Sequence, residues 1–187
     1  LKPLDEAHKG RKSLEEARAE LATEQTLLTR VKREELEGRL ADIYELIEAE
    51  TKMLNGIFLE AHRLGLPIHC HTTGDRAIDL VLNAIELSKK EFPKQNPRHS
   101  ITHAYLVSPN TPKRLADLNV AVVLQPNFIH SFGARFAKSF GEKRLVRAIP
   151  VRTLLNAGVP VAFSSDNIPL GPLRGLASAV HRVGLDG

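Results

Sequence analysis

From Gly56 onward, short apolar runs of β type alternate with amphipathic helical stretches, and this alternation constrains the fold more than any other feature of the 187-residue chain. It predicts helix over 57–65, strand 67–71, helix 76–91, strand 100–104, helix 111–118, strand 120–125, helix 143–157, strand 160–165 and helix 173–183. Strands interleaved with helices imply a parallel sheet with crossover helices, an α/β fold. The punctuation agrees. Gly65-Leu66-Pro67 and Ala157-Gly158-Val159-Pro160 stop helices with Gly and start strands after Pro, Asp75 suits a helix N-cap, and Pro109 or Thr111 can open another helix. Residues 126–141 read as a long loop after the third of these strands.

Ahead of this region the texture differs. Residues 13–54 contain no Pro and a single Gly, Gly38, and are dominated by Glu, Leu, Ala, Arg and Lys. Leu14, Ala17, Leu21, Leu28 and Val31 follow three- and four-residue steps; Leu36, Leu40, Ile43, Ile47 and Leu54 do the same after a one-residue slip. Ser13 and Glu16 have capping-box spacing, and the slip near Gly38 marks where two helices could meet or one could bend. The apolar repeat is short for a coiled-coil arm, so a helical hairpin packed on its own neighbour is the expectation. The chain thus divides into an amphipathic helical leader, 1–56, and an α/β region, 57–187. The leader holds 10 Lys and Arg against 13 Asp and Glu (net −3), the rest 16 against 9 (net +7), matching the overall +4.

Composition removes several function classes. With 42% hydrophobic and 26% charged residues the chain is an ordinary globular one. No apolar run approaches the roughly 18 residues of a membrane span, and no signal-peptide pattern opens the sequence, so neither membrane insertion nor export is expected. The basic excess of 57–187 is spread out and poor in aromatics, which argues against nucleic-acid binding. Cys70 is the only cysteine. It excludes an intrachain disulfide and a Cys-rich zinc module, and a reducing, cytoplasmic setting follows.

Parallel α/β folds gather their ligands at the carboxyl ends of the strands, so the residues there carry the functional argument. The first strand ends in His69-Cys70-His71, the second in His103, the third in Gln125-Pro126-Asn127, and the fourth in Asp166. His69 and His71 share one face while Cys70 points to the other, into the core. Two imidazoles and a carboxylate at neighbouring strand ends are the ligands that suit Zn²⁺ and similar divalent ions. A metal-free Ser hydrolase has no Gly-x-Ser-x-Gly elbow here, and Ser164 and Ser165 lie at a strand end rather than on a strand-to-helix turn. His62, His99, His181 and His8 read as surface or packing residues.

Five motifs in order, His71-Thr72-Thr73-Gly74-Asp75-Arg76-Ala77, Ser100-Ile101-Thr102-His103-Ala104, Val123-Leu124-Gln125-Pro126, Arg152-Thr153-Leu154-Leu155-Asn156-Ala157-Gly158-Val159 and Phe163-Ser164-Ser165-Asp166, resemble the signatures of the metal-dependent amidohydrolases of amidohydrolase family 3. The resemblance covers 57–187. It implies a partial TIM (β/α)8 barrel, strands five to eight, preceded by a helical segment. By the same resemblance His71 matches the fifth-strand metal ligand, His103 the sixth-strand ligand and Asp166 the eighth-strand aspartate, with Gln125 at the end of the seventh strand. His69-Cys70-His71 does not match the family's first-strand His-x-His pair. That pair lies seven βα units before the aspartate, on the order of 200 residues, whereas His71 and Asp166 are 95 apart.

The family's first-strand pair and fourth-strand ligand are therefore not matched in this chain, which predicts a fragment, or a half-barrel with a foreign helical leader, inactive on its own. The implied reaction is hydrolysis of an amide-type C–N bond in a small molecule through a metal-activated water, with a divalent metal, zinc, as cofactor and Asp166 moving the proton. Gln125, Asn127 and His130 are candidate substrate contacts. The alternative is a non-catalytic α/β half-barrel module that associates through its helical leader or its open sheet edges, and either route makes a homo-oligomer possible.

Overall fold

The computed structural model describes residues 2–168 and 172–184. Helix α1 (Lys2–Arg63) is followed by β1 (His69–Thr72), α2 (Asp75–Glu91), β2 (Ser100–His103), α3 (Thr111–Asp117), β3 (Ala121–Leu124), α4 (Asn127–Phe140), α5 (Glu142–Leu145), α6 (Val151–Asn156), β4 (Val161–Phe163) and α7 (Pro172–His181). The chain forms two compact units, Leu1–Glu50 and Thr51–Gly187.

The first unit corrects the expectation of a hairpin. α1 runs without interruption through Gly38, so the one-residue slip in the apolar pattern neither breaks the helix nor folds it back. Ser13 lies inside the helix and opens nothing. The side chains of His8, Leu14 and Ala17 are outside the described residues. Leu21, Leu28, Val31, Leu36 and Leu40 are each more than half exposed. Arg30 Nε donates to Glu34 one turn on at 2.9 Å, a pair that supports the helix, while the hydroxyls of Thr23, Thr26 and Thr29 find acceptors in the carbonyls four residues back.

In the second unit the predicted alternation is present. The four strands are parallel and lie in the order β1-β2-β3-β4. Gly65 (φ 72°) and Gly158 (φ 77°) end the helices before β1 and β4 in the left-handed conformation. At each, the amide of the residue after the glycine returns five residues: Leu66 N–H to Ala61 O at 2.9 Å, and Val159 N–H to Leu154 O at 3.1 Å. Asp75 is the first residue of α2 and not its N-cap, which is Gly74; its carboxylate accepts the next amide, that of Arg76, at 2.9 Å.

Two expectations fail here. The stretch 126–141 is not a loop but mostly α4, whose Phe128, Phe132, Phe136 and Phe140 recur every four residues with successive rings in contact, edge to face, tilted and stacked in turn. The helix expected over 143–157 is split into α5 and α6, because Ile149 adopts φ 48° and Pro150 withholds an amide at the junction.

One face of the sheet builds the core. Cys70, Ile101, Val122 and Val161 occupy one register row and pack with Ile78, Leu82 and Ile85 of α2, Leu115 of α3 and Leu154 of α6. On the opposite face His69, His71 and Ala162 are exposed. Among the described residues no helix is long and apolar enough to cross a membrane.

Candidate metal centre

His71 follows the strand alternation and projects from the exposed face of β1. His103 does not follow it. Its register partner is Thr72, which is buried, so regular alternation would carry His103 to the helix side with Thr72. Instead His103 (φ 76°) and Ala104 (φ 44°) take left-handed backbone at the end of β2. The imidazole of His103 meets that of His71 edge to face, with ring centroids 4.3 Å apart. Asp166, in the turn after β4, is also left-handed (φ 52°). Left-handed conformations at non-glycine residues cost on the order of 1 kcal/mol each and gather at functional sites.

Burial, then the neighbouring imidazole of His71, push His103 below the ordinary histidine range, while Gln125 and the carboxylate of Asp166 pull the other way. The field of Asp166 thus reaches His103. It also reaches Tyr105, whose phenol is raised first by burial and then by that negative charge. His103 is buried and its Nδ1 has no hydrogen-bond partner. Tyr105 was not singled out in the sequence; its ring lies 5.1 Å from that of His103 and 5.7 Å from Phe128, walling the imidazole on one side. The signal was its position two residues beyond a strand-end histidine.

Gln125 and Asn127 are buried braces across the strand ends. Gln125 Nε2 donates to Thr102 Oγ1 at 3.1 Å and to Ser164 Oγ at 2.9 Å, and Asn127 Nδ2 donates to the Ser165 carbonyl at 3.0 Å. Each keeps an acceptor, Oε1 and Oδ1, without a partner. His130 stands in the first turn of α4, its Nε2 3.4 Å from Nη1 of Arg174, in a groove of about 300 Å³ that Ser178 and His181 of α7 also line. His69 is held by Ser100, Nδ1 to Oγ 2.7 Å. Cys70 packs into the core, where burial raises its thiol. Among the described residues no three His, Cys, Asp or Glu side chains close into a single cation-sized group. The structure brings His71 and His103 together and leaves Asp166 acting on His103 from farther off.

A profile of the amidohydrolase family matches residues 18–184. The chain belongs to amidohydrolase family 3. The matched span begins inside α1, well ahead of the first strand-end motif. YtcJ of Bacillus subtilis (strain 168), a protein named as an amidohydrolase, is 32% identical over 136 residues, 71% of this chain and 25% of its own length. The N-substituted formamide deformylase of Arthrobacter pascens is 30% identical over 115 residues, 61% of this chain and 21% of its own. A crystal structure of an uncharacterised metal-dependent hydrolase from Pyrococcus horikoshii OT3 superposes with a TM-score of 0.59 at 27% identity, covering 71% of this chain and 26% of that one. The chain spans about a quarter of the length of the relatives it matches.

Proposed function

We propose that this amidohydrolase-family chain contributes part of a metal-dependent hydrolytic site in which His71 and His103 hold a divalent ion. The carboxylate of Asp166 completes its share of the ligands. The carrying observation is the convergence of the two imidazoles at neighbouring strand ends, achieved by a left-handed backbone at His103 and leaving a buried ring nitrogen unpartnered. The donor set, two neutral imidazoles and one carboxylate, fits zinc. Bound there, such an ion would polarise a substrate carbonyl and make water nucleophilic near neutral pH.

The chain's own groups do the rest in this reading. Asp166, exposed in its turn, accepts a proton from the attacking water at a carboxylate oxygen and returns it to the leaving nitrogen of an amide-type C–N bond. The likeness to a formamide deformylase supports that bond type. Tyr105 and Phe128 shield His103 from bulk water. Gln125 and Asn127 offer Oε1 and Oδ1 to donors of a small-molecule substrate, and His130 approaches it from α4. β1 to β4 then correspond to strands five to eight of a (β/α)8 barrel, the remaining ligands come from strands outside this chain, and the chain alone is inactive. A lone, half-buried thiol supports a reducing, cytoplasmic setting.

A second reading, a non-catalytic association module, is favoured by the lack of a closed three-ligand group among the described residues. Titration calorimetry with Zn²⁺ separates the two. One ion per chain is expected, with affinity falling at least about tenfold in His71→Ala and in His103→Ala. No binding, or binding indifferent to both substitutions, overturns the metal reading and leaves the module.

A further inference from the structure

The helices that follow β3 and β4 pack on each other, and neither contains an Asp or a Glu. α4 carries His130, Arg135 and Lys138, and α7 carries Arg174 and His181, so every charge the two helices can bear is positive. His130, Arg174 and His181 come together on the groove of about 300 Å³ between them. Arg63, Arg114 and Arg182 are satisfied within the fold, the first by Glu60, the second by Asp79 and Glu86, the third by the carbonyls of Leu145, Ala148 and Ile149. Arg174 has no carboxylate partner among the described residues. Its polar contact is Nη1 to Nε2 of His130 at 3.4 Å. A guanidinium can only donate, so the His130 nitrogen accepts there and most of the N–H donors of Arg174 remain unused.

A buried hydroxyl on the wall of the groove is a second, independent sign. Ser178, one turn along α7 from Arg174, is only 4% exposed, and its hydroxyl makes no hydrogen bond among the described residues. Ser88, equally buried on α2, satisfies itself on the Ala84 carbonyl at 2.7 Å. Ser178 keeps its hydroxyl for the groove. The groove also lies close to the strand ends. Gly175, which follows Arg174, approaches the start of α4 so closely that a Cβ there would stand 4.0 Å from the amide nitrogen of Asn127. Asn127 in turn holds the carbonyl of Ser165, the residue before Asp166. His130 is three residues past Asn127, a rise of about 5 Å along the helix.

The geometry points to an oxyanion subsite: Arg174, with His130, His181 and the Ser178 hydroxyl, binds a carboxylate or phosphate group that the substrate carries away from its scissile bond. The planar fork of a guanidinium matches two oxygens of either group, and charge-assisted hydrogen bonds of this kind are shorter and stronger than neutral ones. The imidazoles donate from ring N–H groups and the serine from its hydroxyl. No carboxylate of α4 or α7 competes for them. An anionic substrate is therefore selected over a neutral one of the same size. This names the substrate class of the hydrolytic site proposed above and rests on that reading, but the affinity of the groove for an oxyanion does not require the metal.

Nuclear magnetic resonance on the metal-free full chain at pH 7.5 tests it, with sodium acetate and inorganic phosphate as probes and sodium chloride at equal ionic strength as the reference. The ring signals of His130 and His181 and the Nε–H of Arg174 are expected to shift saturably with at least one oxyanion. Tighter binding of acetate assigns a carboxylate, and tighter binding of phosphate a phosphoryl group. In Arg174→Gln, a change at an exposed position, the affinity is expected to fall at least about tenfold, the loss of a charge-assisted contact. Should circular dichroism show that variant unfolded, Arg174→Lys takes its place, and loss of the planar fork is still expected to weaken binding. Shifts that chloride reproduces, shifts that do not saturate, or affinity unchanged in the folded variant would each overturn the subsite. Zinc calorimetry on the same preparation keeps the two readings apart. Zinc bound without oxyanion binding overturns the subsite alone, whereas oxyanion binding that depends on Arg174 in a chain that binds no zinc overturns the metal reading and leaves the groove an anion site.

Discussion

Nδ1 of His62 and Nε2 of His99 lie 3.0 Å apart in a fully buried pair, the rings stacked at 5.4 Å and Phe58 edge-on to His99 at 5.5 Å. The Ile68 amide donates to Nδ1 of His99 at 3.1 Å, which fixes the protons along the chain. His99 must carry its proton on Nε2 and give it to Nδ1 of His62. His62 then holds a proton on Nε2, facing the carbonyls of Phe92 and Gln95 without closing a hydrogen bond. Both rings are therefore neutral in the fold, and the pair ties the end of α1 to the approach to β1 and to the segment leading into β2.

Neutrality makes the pair acid-sensitive. Burial, the neighbouring His62 and then Lys89 depress His99 from 6.5 to about 4, and burial also lowers His62. A histidine depressed in the fold binds its proton more readily when unfolded. Its stabilisation is thus complete above pH 6.5 and is lost as the pH falls from there through about 4. From the His99 shift alone the loss amounts to about 3 kcal/mol at most. Urea unfolding at pH 7.5 and pH 4.5 should show it, and in His99→Gln this part of the pH dependence should be smaller. An equal pH dependence in wild type and variant would rule out the assignment to this pair.

Removing the ring altogether should cost more than a surface substitution. His99→Ala strands the Ile68 amide and Nδ1 of His62 in a dry site and opens a cavity beside Phe58, so a loss of about 2 to 4 kcal/mol is expected. Thermal or denaturant unfolding at pH 7.5 reads this directly. His69→Ala is the comparison: it breaks only an exposed bond to Ser100, and a change within about 0.5 kcal/mol is expected.

These outcomes bear on what the sequence could disclose. The βα alternation and the glycine stops were legible because Gly65 and Gly158 act through their own backbone conformation and the apolar runs through their period. α4 was concealed by Pro126 at its threshold and by a turn-like reading of 126–141, although its four phenylalanines at four-residue spacing were there to be counted. The helix over 143–157 looked continuous because the left-handed turn at Ile149 is imposed by tertiary packing on a β-branched residue that does not favour it. The strand-end histidines were visible as residue types, but the reversal that aims His103 at His71 was not, since no glycine marks it. The His62–His99 pair joins positions 37 apart and leaves no local signature at all.

One guanidinium carries the polar side of the contact between α2 and α3, beside the packing of Leu115 in the core. Arg114 donates to Asp79 at 3.0 Å, to Glu86 at 3.0 Å and to Asn83 at 2.7 Å, spanning two turns of α2. Both carboxylates are substantially exposed, so solvent screening limits the gain, and Arg114→Ala should cost about 1 kcal/mol. Arg114→Lys should recover only part of it, since an ammonium cannot reproduce the planar fork. Adding 0.5 M NaCl should narrow the gap between wild type and Arg114→Ala; a gap insensitive to salt would assign the loss to packing of the arginine stem.

Gln125 offers the sharpest separation of hydrogen bonding from volume at the strand ends. Its Nε2 bridges Thr102 of β2 and Ser164 beyond β4, while Thr102 Oγ1 donates onward to the Val123 carbonyl at 3.2 Å. Gln125→Met keeps the length of the side chain but removes the donor, so the hydroxyl oxygens of part-buried Thr102 and exposed Ser164 lose a partner and about 1 kcal/mol should be lost. Gln125→Ala adds a cavity in a fully buried position and should lose about 2 to 4 kcal/mol. Denaturant midpoints with unchanged slope would give both values. Equal losses would mean that the bridge, not the volume, carries the stabilisation, and a neutral Gln125→Met would mean that Thr102 and Ser164 find other partners once the amide is gone.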